Sequence, residues 1–143
     1  MTKAEGSGYE PMGKWLRQSL GEGLYVLGFG INTGSVRAMT RAGGKSIGLA
    51  ESTIPAAEAG TGTATLSTVG QPLFFLDIRA QDGVLGDWLG EKHKFRSCGA
   101  MWDRDGVDNH MREESLGKAY DGYVYLEKTE AARAVRPTAF SPK

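Results

Sequence analysis

The stretch Leu24 to Arg37, LYVLGFGINTGSVR, constrains this chain more than any other. It begins with β-prone apolar residues, Leu24-Tyr25-Val26-Leu27, and continues through Gly28, Gly30 and Gly34 with Phe29, Asn32, Thr33 and Ser35 among them. An apolar run bounded by glycines reads as a buried strand, of the kind found in parallel sheets covered on both faces. Ligands in open α/β sheets sit beyond the carboxyl ends of the strands. The segment Gly30 to Arg37 is therefore expected at such an end, with glycines that let backbone approach a ligand closely. A strand followed by an ordinary glycine-rich loop is the plainer reading of the same spacing.

The flanking text supports an α/β chain. Met12, Trp15, Leu16 and Leu20 recur at helical spacing, and Gly21 and Gly23 follow where a helix end favours glycine. A helix over Met12 to Leu20 thus leads into the strand. Pro72 to Arg79, PLFFLDIR, is nearly continuously apolar and reads as a second buried strand, with Asp77 and Arg79 near its carboxyl end. Tyr123 to Leu126 gives a third. Between them lie an extended segment from Ser46 to Ile54, a weak helix over Ala64 to Val69 and a polar stretch from Gln81 to Lys94 anchored by Trp88 and Leu89. A short strand within Phe95 to Met101, a charged loop from Asp103 to His110 and a short helix over Arg112 to Tyr120 complete the pattern. The expected architecture is a three-layer α/β/α arrangement with a mostly parallel sheet of three to five strands, either a whole domain or part of a larger one. Strand Leu24 to Gly28 is expected beside strand Leu73 to Ile78. Residues 1–11 read as a flexible lead-in, 12–137 as the folded body and 138–143 as a tail.

Composition narrows the partners. Seventeen basic and seventeen acidic side chains balance, which gives no reason to expect nucleic acid or an anionic membrane. Leu, Ile, Val and Phe make up 28 of 143 residues, just under the ~20% level at which disorder becomes a concern. With no net charge to drive expansion, the chain is expected to fold around a thin core. The single cysteine, Cys98, excludes an internal disulfide and suits a reducing compartment. The first residues, MTKAEGSGYEP, lack an apolar h-region, and no run approaches the ~20 apolar residues of a membrane span. A cytoplasmic chain is expected.

Most familiar site motifs fail on spacing. Gly43-Gly44-Lys45-Ser46 resembles the end of a phosphate-binding loop, but Met39 stands where the motif needs its first glycine. Gly28, Gly30 and Gly34 miss the dinucleotide fingerprint because the second gap is four residues instead of three. Placing Gly106 at the sixth position of a calcium loop puts Met101 at the first ligand position and Arg112 at the twelfth, where a carboxylate is required. His93 and His110 form no zinc pattern with Cys98, which reads as a small buried hydrophobe. Asp77 and Arg79 suit either substrate binding or a strand-end ion pair. No metal or other cofactor is indicated, and no complete catalytic constellation is visible.

Taken in order, these segments resemble the C-terminal part of the erythromycin esterase family. MGKWLRQSLGEGLYVLGFGINTGSVRA is similar to its Met-Gly helix followed by a Tyr-x-x-Gly-Phe strand, a Gly-Ser pair and an alanine, here Met12-Gly13, Gly28-Phe29, Gly34-Ser35 and Ala38. PLFFLDIR resembles the family's leucine-rich strand ending in Asp-x-Arg, with Trp88-Leu89 after it. YDGYVYLEKTEAARAVRP resembles its closing Phe-Asp-x-x-x-Tyr-x-x-x-Thr-x-Ala segment. The resemblance spans Met12 to Pro137 and departs at Val36, where the family usually has phenylalanine.

The resemblance implies metal-free hydrolysis of a carboxylic ester, a macrolide lactone in particular, and with it a role in antibiotic resistance. A histidine base activates water, and positive or hydrogen-bonding groups stabilise the oxyanion. The family's catalytic histidines and glutamate lie upstream of the Met-Gly helix, and His93 and His110 do not match them. This chain is therefore expected to lack the base and to supply a substrate-side wall: Gly28, Phe29, Asn32, Thr33, Gly34, Ser35 and Arg37 beyond one strand, Asp77 and Arg79 beyond another. Implied partners are a small ester or lactone and the missing N-terminal half or a second copy. The alternative is a non-catalytic remnant that binds a partner or small ligand.

Overall fold

The computed structural model describes residues 12–106 and 110–133. The proposed lead-in, residues 1–11, and everything after residue 133 lie outside the described residues. Helix α1 covers Met12–Leu20 as its apolar spacing predicts, and Gly21 takes a positive φ of 53° at its end. Strand β1 then runs over Leu27–Ala42 and turns into β2, Lys45–Ile54. The turn is Gly43-Gly44, with φ of 56° and 71°, the backbone that a two-residue hairpin with right-handed twist requires. The Gly-Gly-Lys-Ser signal is thus a hairpin turn.

The short helix α2, Gly62–Ser67, begins where the Thr61 hydroxyl accepts from the amide of Ala64. Strand β3, Leu73–Asp77, helix α3, Gly83–Gly90, and strands β4, His93–Arg96, and β5, Met101–Asp103, follow. The chain then forms β6, Met111–Glu114, the single turn α4, Leu116–Ala119, and β7, Gly122–Thr129. The helix expected over Arg112 to Tyr120 is therefore half strand. Residues 111–114 pair antiparallel with β4, and the Ser115 hydroxyl then caps α4 by accepting from the amide of Lys118.

The main sheet is ordered β2-β1-β7-β3, with β5 beside the far part of β1. Pairs β1–β7 and β1–β5 are parallel, whereas β1–β2 and β3–β7 are antiparallel. The α/β class holds, but the sheet is mixed instead of mostly parallel. Strands β1 and β3 are not neighbours, because β7 lies between them. The expected strand end at Gly28 also moves. Gly30 to Arg37 is not a loop but the middle of a strand roughly 50 Å long at ~3.3 Å per residue. Its glycines serve packing: a Cβ on Gly28 would stand 2.6 Å from the Tyr123 ring, and one on Gly30 2.3 Å from the Tyr123 hydroxyl.

One face of the sheet carries the core. Tyr123 and Tyr125 of β7 pack with Leu66 of α2, Leu89 of α3, Phe95 of β4 and Leu116 of α4, and Ile78 joins them. A smaller core of Ala38, Ile54 and Trp102 fixes the β1–β2–β5 end, where the Trp102 ring stacks on His110 at 4.0 Å. Helices α2, α3 and α4 and strand β4 of the β4–β6 ribbon thus pack on one face of the sheet.

Candidate functional site

The sequence-predicted wall residues fall into three groups along β1. Asp77 and Arg79 sit at the start of β1 and β7, because β3 runs antiparallel to β7 and pairs Asp77 with Gly122, the partner of Leu27. Arg37 lies ten residues further along β1, roughly 33 Å away at strand rise. The structure therefore does not bring the two halves of the expected wall to one end of the sheet. An antiparallel strand delivers its carboxyl end to the opposite edge of the ladder.

Around Asp77 and Arg79 the organising residue is Asp121, which is 2% exposed. Its carboxylate accepts from the amide of Val26 at 2.7 Å, from Arg79 Nε at 2.9 Å and from Arg17. Arg79 also donates to the carbonyl of Leu24 and lies over the Tyr25 ring, 4.8 Å from its centroid. Tyr25 donates to Asp77 at 3.0 Å. The hydrogen bond that Arg79 donates to Asp121 raises the Arg79 pKa above its ordinary value, and burial followed by the bond to Asp77 raises that of Tyr25. This network ties α1, the entry to β1 and the β3 end together, and leaves an arginine and a phenol on the surface at that edge.

The second group surrounds Glu127. Asn32 Nδ2 donates to it at 2.7 Å, Ser67 at 2.8 Å and Tyr125 at 2.8 Å, while Asn32 Oδ1 accepts from the amide of Ala57. Burial opposes ionisation of Glu127, but these three donors outweigh it and hold the carboxyl below its ordinary value. Tyr125, buried and facing a carboxylate, is pushed up to about 12. Asn32 is thus a clamp between β1, α2 and β7.

The third group holds residues 131–132 against β1. Ser35 Oγ accepts from the amide of Ala131, and Arg37 Nε donates to the carbonyl of Ala132 at 2.7 Å, with Glu51 3.4 Å from Arg37 Nη2. Thr33 donates to the carbonyl of Ile54. Gly34 takes a φ of 121° and lies so close to β7 that a Cβ would stand 2.0 Å from the Thr129 carbonyl oxygen. Phe29 projects into solvent from the face opposite the core, and Gly28 lies under the rings of Tyr120 and Tyr123.

Neither histidine is placed as a free base. His93 stacks on Trp88 at 4.5 Å with Nε2 3.0 Å from the Trp88 carbonyl. His110 stacks on Trp102, and its Nε2 accepts from the amide of Asp103 at 2.9 Å. Among the described residues no group of three or more histidine, cysteine or acidic side chains is arranged for a metal. No described helix is long and apolar enough to cross a membrane.

Sequence reasoning gave no role to Asp121, Glu127 and Arg96. Asp121 carried a signal, an acid between an aromatic and a glycine at the mouth of a buried strand. Arg96 carried little: it is 6% exposed, donates to the Pro55 carbonyl through Nη2, and its Nε and Nη1 have no hydrogen-bond partner. Burial lowers its pKa, with Cys98 opposing weakly.

A mixed sheet with helices α2, α3 and α4 on one face and charged clamps along its longest strand defines an α/β scaffold. The erythromycin esterase family model matches residues 1–129, and the chain belongs to that family. Two solved structures share its fold. One is titled a succinoglycan biosynthesis protein, 20% identical with a TM-score of 0.74, matched over 90% of this chain and 31% of its own. The other is a Bacillus cereus protein, 23% identical with a TM-score of 0.65, matched over 82% of this chain and 28% of its own. No curated protein matches. The chain spans less than a third of the length of either solved structure.

Proposed function

We propose that the chain is the C-terminal, substrate-side segment of a carboxylic ester hydrolase acting on a macrolide-like lactone, with the general base supplied by polypeptide outside it. The observation that carries this reading is the family match over residues 1–129. The geometry supports the division of labour. A base must come within about 2.6–3.2 Å of the attacking water, directly or through one water. His93 and His110 instead hold their Nε2 atoms against backbone and stack on tryptophans.

In the proposed reaction the external base takes a proton from water as its oxygen attacks the ester carbonyl carbon. The carbon–oxygen bond to the alcohol then breaks, and the leaving oxygen recovers the proton. Of the expected wall, Arg79 and Arg37 are the cationic groups; they lie roughly 33 Å apart along the sheet, so one of them, not both, would meet the oxygens of a bound ester. Asn32, Thr33, Ser35 and Asp77 keep the frame that positions them, and Gly28 and Gly34 allow its close packing.

Purified chain incubated with erythromycin and with p-nitrophenyl butyrate is expected to show no turnover above background. Steady turnover that disappears in His93→Ala or His110→Ala would refute the assignment of the base.

A further inference from the structure

Among the described residues, Arg96 holds the only buried side-chain nitrogen or oxygen atoms with no hydrogen-bond partner. Its backbone amide donates to Thr63 Oγ1 at 2.9 Å and its Nη2 to the Pro55 carbonyl at 2.8 Å, which leaves Nε and Nη1 without acceptors. The side chain has no counter-charge either. Its titratable neighbour among the described residues is Cys98, whose thiol burial pushes up and keeps neutral, and no described carboxylate acts on it. A buried cation with open donors weakens a fold, and native chains break that rule chiefly where a site needs it.

The position of Arg96 points the same way. Pro55 follows Ile54, which pairs with Gly34, and Gly34 also pairs with Thr129 at the end of β7. Five residues further along β1, Met39 takes Met101 of β5 as its parallel neighbour. Arg96 therefore reaches the level at which β1 exchanges one parallel partner for another, at the carboxyl end of β7. Such switch points are where open α/β sheets bind ligands. The cover over this place is thin. Residues 55–60 read Pro-Ala-Ala-Glu-Ala-Gly, and all but the half-buried Ala57 are exposed. Apart from their own turn at Glu58–Thr61, they are tied down by the Arg96 bond to Pro55 and by the Ala57 amide, which donates to Asn32 Oδ1 at 2.9 Å. Gly60, with a φ of 83°, ends the segment. A stretch that buries so little apolar surface opens at small cost.

We propose that residues 55–60 form a flap over a carboxylate-binding site whose cation is Arg96. A guanidinium fork matches carboxylate and phosphate alike in shape, and charge decides between them. One guanidinium balances one negative charge, whereas the second charge of a phosphate would stay buried and unpaired. When the flap lifts, the oxygens of the ligand supply the acceptors that Nε and Nη1 lack. This site goes beyond the hydrolase reading and does not depend on it.

The test uses the full chain with sodium acetate as probe, against sodium chloride and sodium phosphate at matched ionic strength and pH 7. Acetate should raise the melting temperature saturably, by roughly 3 °C at ten times its dissociation constant. In Arg96→Met, which keeps the bulk and loses the cation, the saturable shift should vanish. Phosphate should shift the parent less than acetate does. A readout free of variants is the Arg96 Nε–H resonance, which acetate should move together with the Ala57 amide. No saturable response in the parent, an equal shift in Arg96→Met, or a phosphate effect as large as that of acetate would overturn the proposal.

Discussion

Gly30→Ala isolates the physical reason that a glycine stands in the middle of the longest strand. Its added Cβ would lie 2.3 Å from the Tyr123 hydroxyl and 2.7 Å from Cε1 and Cζ of the same ring, about 1 Å inside ordinary contact. The ring cannot swing away freely. Tyr123 is 3% exposed and packs between Tyr120, at 5.7 Å between centroids, and Phe95, at 6.3 Å. Overpacking of this size costs about 1–3 kcal/mol, and the loss of chain entropy in the unfolded state returns about 0.4–1 kcal/mol. A net loss of ~1–2 kcal/mol is expected, read as a drop of roughly 0.5–1 M in the urea midpoint by far-ultraviolet circular dichroism. Tyr123→Phe removes the nearest atom of the clash but not the ring. The double variant should therefore be more stable than the sum of the single losses by roughly 0.5–1 kcal/mol. An unchanged midpoint in Gly30→Ala, or strict additivity, would refute the packing account.

Two further substitutions test the half-buried Glu127 and the buried Arg96. Glu127→Gln presents an amide to three donors that now share a carboxylate, and should cost about 1–3 kcal/mol at pH 7. The Glu127 pKa is depressed in the folded chain, so its stabilisation is complete above the unfolded carboxylate value of about 4.3. It is lost as pH falls through the lower folded value. The gap between parent and variant should accordingly narrow in urea titrations below about pH 4, and a gap independent of pH would contradict the network. Arg96→Met removes a buried guanidinium with two unpartnered nitrogens and keeps most of its bulk. Buried charges replaced by apolar residues of similar size are neutral or stabilising by about 1–4 kcal/mol. A melting temperature lowered by more than a few degrees would show that Arg96 has a strong partner in solution.

Local chemistry was legible where one segment determines its own structure. The spacing of Met12, Trp15, Leu16 and Leu20 gave α1 to the residue, and the apolar runs at Leu73 and Tyr123 gave β3 and β7. Topology was not legible, because it depends on which strands find each other. The apolar text of Leu24 to Leu27 stops at Gly28, but the strand continues to Ala42 because β7, β2 and β5 successively supply ladder partners. Arg112 to Glu114 looks helical alone and becomes strand only against β4. The wall divided for the same reason. Asp77 ends β3 as the text suggests, whereas Arg37 falls inside β1 instead of beyond its end, and the antiparallel pairing of β3 with β7 separates the two along the sheet. Asp121 and Glu127 could be read as surface acids until the fold surrounded them with donors.

If these residues hold one side of a hydrolytic site whose base lies on other polypeptide, the initial rate of erythromycin and p-nitrophenyl butyrate hydrolysis should respond when a polypeptide carrying the family's histidine-bearing part is titrated into a fixed amount of this chain. Each molecule alone should give background rates, and mixing should give a saturable rise by a factor of about 10² or more, the least that a positioned general base usually contributes. A full rate from this chain alone, or no rise from a mixture shown to associate, would contradict that division of labour.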